Sequence, residues 1–102
     1  MPLFIKTERF TAKAMQLSPE KRQKFIQDHC SWVAKLNESG IKVCSGYLVN
    51  EKRLAGGGGM LVIEAKSFID AQSFIQQDPM IINDLVNWTL QEWIPVVGLL
   101  MN

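Results

Sequence analysis

His29 and Asp78 are the two residues whose types and spacing could do chemistry together. His29 is the sole histidine, and it falls on the apolar stripe of an expected helix. Asp78 stands before Pro79, at the end of a second expected helix. An imidazole can act as a general base near neutral pH, and a carboxylate that accepts its other N–H fixes the tautomer and stabilises the charged form. A carboxylate at a helix C-terminus faces the negative end of the dipole, which disfavours its charge, and a nearby imidazolium would offset that. The packing alternative is a buried histidine satisfied by one hydrogen bond and an aspartate that caps a turn before proline. On the residues alone, packing is the stronger explanation.

Other side chains could complete a site. Lys6 shares a strand face with Phe4 and Glu8 by parity, and its ammonium could meet an anionic ligand. The plainer reading, which the spacing favours, is a solvated strand-edge charge. Ser45 and Tyr47 share one face of an expected strand and could line a pocket as hydrogen-bonding groups, with a tyrosine at a sheet edge as the equal alternative. Gly56–Gly59 could turn backbone N–H groups toward an anion. It matches neither a dinucleotide nor a Walker pattern, so a flexible hairpin segment is the better reading. Trp32, Trp88 and Trp93 read as core and dimer contacts rather than a stacking platform. Cys30 and Cys44 read as packing residues. Cys30 follows His29 directly, so the two side chains diverge on a helix and do not make a nucleophile–base pair.

The elements that must position these groups are legible in outline. Residues 3–10 read as a strand and residues 11–17 as an irregular connection. Ser18-Pro19-Glu20 starts a helix with a capping hydroxyl, a first-turn proline and an acid at the positive dipole end. That helix runs to about Ser39, with Gly40 as its left-handed stop. Phe25, Ile26, His29, Trp32, Val33 and Leu36 form its inner stripe. Residues 41–49 read as a second strand and residues 50–54 as a polar turn. The glycines then lead into a third strand at Met60-Leu61-Val62-Ile63, apolar on both faces and so expected to be covered on both. Ser67 caps a second helix with an inner stripe of Phe68, Ala71, Phe74 and Ile75, and Asp78 continues that stripe to the stop at Pro79. Residues 80–84 read as a short turn or bent helix. Residues 85–93 alternate as a last strand, and Pro95 breaks the ladder.

The order β-α-β-β-α-β predicts an α+β, ferredoxin-like protomer with two helices on one sheet face. Two helices leave the other face open, while Trp88 and Trp93 fall on opposite faces of the last strand. A second copy of the sheet is the economical cover, so the expected assembly is a homodimer, with higher order contributed by the apolar tail Val96–Met101.

Composition bounds the rest. The chain has 102 residues, which fits a single domain over its length, with 47% hydrophobic and 21% charged residues. Eleven basic against ten acidic residues leave a net charge of +1, too weak a field to track a phosphate backbone. No apolar run reaches the roughly 20 residues a membrane helix needs. The start lacks a signal peptide's apolar stretch and cleavage site. The two cysteines fit no zinc or CxxC spacing and read as reduced cytoplasmic thiols, a disulfide remaining open.

Taken in order, several segments resemble the YciI-like (YCII-related) family. They are His29-Cys30-Ser31-Trp32-Val33, then Glu38-Ser39-Gly40-Ile41, then Ser45-Gly46-Tyr47-Leu48. A glycine cluster before an apolar strand follows, then a Ser-started helix ending in Asp78-Pro79, and the likeness closes at Trp93-Ile94-Pro95. The resemblance implies a dimeric α+β barrel of ferredoxin-like protomers. It also implies a pocket between helices and sheet where the family's histidine and aspartate meet, here His29 and Asp78. Tyr47 stands where the family commonly has proline, so the resemblance carries a pocket rather than a ligand identity. The expected function is a cofactor-free, metal-free lyase, isomerase or dehydrohalogenase type of enzyme. It would act on a small cyclic or aromatic-like molecule, with His29 as base and Asp78 as its orienter. The alternative is a non-catalytic dimeric module that binds a small ligand or a partner protein.

Overall fold

The computed structural model describes residues 1–98. The chain runs β1 (Leu3–Phe10), α1 (Ala12–Gln16), α2 (Pro19–Glu38), β2 (Val43–Val49), β3 (Ala55–Glu64), α3 (Phe68–Ile75), α4 (Pro79–Ile82) and β4 (Val86–Trp93). The strands form one antiparallel sheet in the order β2-β3-β1-β4, so β1 and β3 are central and β2 and β4 are edges. This is the ferredoxin-like α+β arrangement. Among the described residues, no helix is long and apolar enough to cross a membrane.

Local chemistry sets the ends of α2. The Ser18 hydroxyl accepts from the Lys21 N–H at 3.2 Å, with Pro19 in the first turn. At the other end Gly40 takes φ +92°, its N–H reaches the Asn37 carbonyl, and the Ile41 N–H reaches the Leu36 carbonyl. That double bond closes the last turn on a residue for which a left-handed conformation is cheap.

The pleat divides the sheet. Phe4 and Lys6 face the helices together with their register partners Leu61 and Ile63. One core fills this side with Phe4, Leu36, Val43, Leu61, Ile63, Ala71 and Ile75. A second, smaller cluster joins Ala14, Met80, Leu85 and Val86, backed by Phe10, Phe25 and Ile26. Each large aliphatic or aromatic side chain fully buried contributes roughly 1.5–3 kcal/mol. On the opposite face Ile5, Met60, Val62 and Trp93 carry no helix, and Met60 and Trp93 are exposed.

Several local expectations are corrected. Residues 11–17 are not irregular: Thr11 caps α1 by accepting from the Ala14 N–H at 3.2 Å, and its hydroxyl donates to the Asp84 carbonyl at 3.0 Å. Burial of Ala14 then holds this short helix against the sheet end. Strand β2 begins at Val43 rather than Ile41. The glycines are not a hairpin linker. Gly56–Gly59 lie within β3, where Gly58 and Gly59 pair with Arg9 and Glu8. The hairpin turn is the polar turn expected at residues 50–54, where Asn50 Oδ1 accepts from the Lys52 and Leu54 N–H groups. Cys30 and Cys44 are free and exposed, not packing residues. Trp32 and Trp88 pack against the core as expected. Of the apolar tail, Val96 and Val97 are exposed, and residues 99–101 lie outside the described residues.

Candidate functional site

The site begins with the parity of β1. Lys6 points to the helix side from a central strand, between Leu61 of β3 and Leu90 of β4. It is therefore neither a solvated edge charge nor free for an anionic ligand. It is 0% exposed, and its ammonium meets Asp78 Oδ2 and Glu8 Oε1, each at 2.8 Å. A buried ammonium is tolerable only with such partners.

Asp78 arrives from the other side. Helix α3 ends at Ile75, and Asp78 takes an extended conformation (φ −62°, ψ 124°) ahead of Pro79. Its side chain does not face the negative end of a helix, as the sequence suggested. It caps the start of α4, with Oδ1 accepting from the Met80 N–H at 2.9 Å. Asp78 is also 0% exposed. Burial alone would push its carboxyl up. The hydrogen bond from His29, then the charge and hydrogen bond of Lys6, outweigh that and hold it below the ordinary aspartate range.

His29 reaches the same carboxylate from α2. Its Nδ1 lies 2.9 Å from Asp78 Oδ1, and its Nε2 lies 2.8 Å from Ser45 Oγ on β2. An ionised carboxylate carries no proton, so Nδ1–H donates to it. In the neutral ring Nε2 then accepts from the Ser45 hydroxyl. Trp32, one turn along, tilts against the imidazole with ring centroids 5.7 Å apart. The result is a chain of polar contacts, Ser45–His29–Asp78–Lys6–Glu8, that joins two strands, β1 and β2, to helix α2 and the cap of α4.

A cavity of about 740 Å³ opens over this chain, and His29, Ser45, Tyr47 and Glu8 line it. Lys6 and Asp78 lie beneath it rather than in its wall. Tyr47 is 75% exposed and stands at the mouth. Phe10, Ile26, Val33 and Met80 supply apolar wall, and Gly57, Gly58 and Gly59 also line it. Four of the five expected site residues, Lys6, His29, Ser45 and Asp78, thus form one hydrogen-bonded cluster, with Tyr47 apart from it. Among the described residues, no group of three or more His, Cys, Asp or Glu is placed to hold a metal ion.

The sequence does not single out Glu8 as a site element, and it offers Gly56–Gly59 only as backbone N–H groups for an anion, behind the reading as a flexible hairpin. The signal for Glu8 was its i+2 spacing from Lys6 on one strand, which puts both on the same face. The signal for the glycines was their contiguity with an apolar strand, since glycine inside a strand marks a close approach of other groups.

Fold and site together define a ferredoxin-like α+β protein with a His–Asp pair, its aspartate buried and its histidine in the wall of a cavity. Residues 7–93 match the YCII-related domain, and the chain belongs to that family. Solved structures share the fold. A 5-chloro-2-hydroxyhydroquinone dehydrochlorinase from Burkholderia phenoliruptrix, in complex with 2,5-dihydroxybenzoquinone, is 19% identical, with a TM-score of 0.65 over 90% of this chain and 93% of that one. A protein of Arabidopsis thaliana is 16% identical, with a TM-score of 0.55 over 98% of this chain and 100% of that one. A dimeric ferredoxin-like protein from an uncultured marine organism is 14% identical, with a TM-score of 0.50 over 97% and 100% of the two chains. No curated protein matches the sequence.

Proposed function

We propose that this chain is a cofactor-independent acid/base enzyme of the lyase, isomerase or dehydrohalogenase type, acting on a small cyclic or aromatic-like molecule held in the cavity. The observation that carries the reading is the polarised imidazole: Nδ1 of His29 is tied to Asp78, while Nε2 and the Ser45 hydroxyl sit at the cavity wall. In this reading the base works through Ser45. The hydroxyl takes a proton from the ligand as it passes its own to Nε2, and Asp78 stabilises the imidazolium that forms. Lys6 keeps Asp78 ionised throughout. The dehydrochlorinase that shares the fold lends the enzymatic reading support, since its named reaction also removes groups from a ring.

The same reading has two copies of the chain joined through the open sheet face, where Ile5, Met60 and Val62 supply apolar surface. A fold relative described as dimeric supports this. The free thiols of Cys30 and Cys44 suit a reducing, cytoplasmic setting. One observation favours the non-catalytic binding module instead: both ring nitrogens of His29 already have partners within the chain.

Ligand titration followed by NMR separates the two, using small hydroxylated and halogenated ring compounds with chromatography of the products. Turnover that is lost in His29→Ala and Asp78→Asn, with the fold retained, is the expected result. Binding without turnover in the unaltered protein assigns it to the binding module. Large matching drops in melting temperature, with ligand affinity untouched by either change, would return both residues to the scaffold.

A further inference from the structure

We propose that Glu8 is the ligand-recognising carboxylate of this cavity, and that it selects an uncharged ring carrying hydroxyl groups while excluding carboxylates and phosphates. The proposal rests on reading the cavity as the ligand site and names what that site accepts.

Glu8 is held by two features. Its Oε1 meets the buried Lys6 ammonium at 2.8 Å, and its side chain is only 12% exposed. It also lies across Gly59, its register partner on β3. A Cβ built on Gly59 would sit 3.4 Å from Glu8 Cγ, 3.6 Å from Glu8 Cδ and 3.1 Å from the Gly46 carbonyl oxygen. An added Cβ would thus be crowded by the Gly46 carbonyl and would lie in van der Waals contact with the Glu8 side chain, so the bare backbone of Gly59 leaves open the surface beside the carboxylate. Tyr47 is the other register partner of Gly59, so a strip of sheet without a side chain runs between Glu8 and Tyr47. This strip is a flat floor, with Phe10, Ile26, Val33 and Met80 as apolar walls. Flat floor and apolar walls suit a ring.

Charge decides which ring. No lysine or arginine is among the residues that line the cavity. Of the nearby cations, Lys6 is fully buried and shared between Asp78 and Glu8, and the Arg22 guanidinium lies over the Phe10 ring and donates to the Ala14 carbonyl. With the imidazole neutral, the formal charges of Lys6, Asp78 and Glu8 sum to minus one. An anion entering would lose its hydration, meet no lysine or arginine in the described lining and face the Glu8 carboxylate. A cation would be drawn by that net charge, but it would lose its own hydration and share a carboxylate with the Lys6 ammonium already 2.8 Å from it. What remains favourable is a neutral donor: a ring hydroxyl donating to the Glu8 oxygen that Lys6 does not occupy. A hydroxyl held there lies across the floor from Ser45 and His29, so Glu8 orients the ring that the base addresses.

The test is titration of the intact protein with three ligands of similar ring size, resorcinol, benzoate and benzylamine, followed by amide NMR. Resorcinol should bind with shifts at Gly57–Gly59 and His29, and benzoate should not bind. Glu8→Gln should weaken resorcinol by about tenfold, as expected for losing a hydrogen bond to a charged acceptor, and should admit benzoate. In the unaltered protein, the Glu8 side-chain carboxyl resonance should move on adding resorcinol, a measurement that stands if the variant fails to fold. Binding of benzoate or benzylamine at least as tight as resorcinol overturns the proposal, as does no binding of resorcinol. Resorcinol shifts in the cavity with unchanged selectivity in Glu8→Gln overturn the role of Glu8 and leave the ligand-site reading intact. Shifts confined to another surface overturn both.

Discussion

Lys6 is the residue whose neighbours constrain it most, and it gives the sharpest stability expectation. Lys6→Met keeps much of the side-chain volume but strands two carboxylates, one fully buried. Breaking a buried pair on one side costs about 3–5 kcal/mol, so chemical denaturation should show a loss of that order. Adding Asp78→Asn should recover part of it, because the amide needs no counter-charge, and additive losses would mean that the two residues are not coupled. Asp78 also sets a pH dependence. Its folded pKa is depressed, so in the acid range the unfolded chain binds the more protons. Its contribution is therefore fully present above the unfolded value of roughly 4, and it is lost as pH falls through the lower folded value. Denaturation midpoints of the unaltered protein should fall more steeply than those of Asp78→Asn as the pH is lowered through that window. Equal slopes would show that Asp78 is not held ionised by its partners.

At the scale of elements, two strands and two helices deliver the site, and the glycine stretch of β3 decides whether it has room. Gly59→Ala places a Cβ 3.1 Å from the Gly46 carbonyl oxygen, a backbone atom that cannot swing away. We expect a loss of about 1–3 kcal/mol, the usual cost of overpacking, together with weakened ring binding. The sheet meets no such obstacle at Gly56, where nothing lies within 4 Å of an added Cβ, so Gly56→Ala serves as the control. Matching melting temperatures for the two variants would show that β3 gives way at Gly59. Helix α2 carries His29 but depends on its own cap. Ser18→Ala removes the acceptor of the Lys21 N–H and should cost about 0.5–2 kcal/mol. Because the cap is more than two turns from His29, the imidazole resonances should not move. A changed His29 spectrum would show that fraying reaches the site.

For the whole molecule, the uncovered sheet face is the main unsolved surface. Ile5, Met60 and Val62 are adjacent across β1 and β3, and a monomer would leave them to water. In the proposed dimer each would face the other copy. Light scattering should give twice the chain mass at micromolar concentration, and Val62→Lys should shift it to the monomer by placing an unpaired ammonium in an apolar contact. A monomer in the unaltered protein would refute the assembly. Removing residues 96–102 should weaken association or solubility, since Val96 and Val97 are exposed.

Period and punctuation in the sequence determined the succession of the four strands and two longer helices along the chain, the two ends of α2 and the shared inward direction of His29 and Asp78; helix α1 and the end of α3 at Ile75, short of the expected stop at Pro79, were not legible there. The legible features are local properties: capping, glycine conformation and the 3.6- and 2-residue periods act within a turn or two of chain. The strand order was not local, and it changed the meaning of single residues. Lys6 reads as an edge charge until β3 and β4 flank β1, after which burial obliges it to find Asp78 and Glu8. The glycine run reads as a linker until its pairing with β1 makes it a cavity floor. Asp78 reads as a helix end until α4 begins at Pro79 and turns its carboxylate into a cap. The Ser45–His29–Asp78–Lys6–Glu8 chain joins residues up to 72 positions apart, and only tertiary packing brings such distant groups within hydrogen-bonding reach.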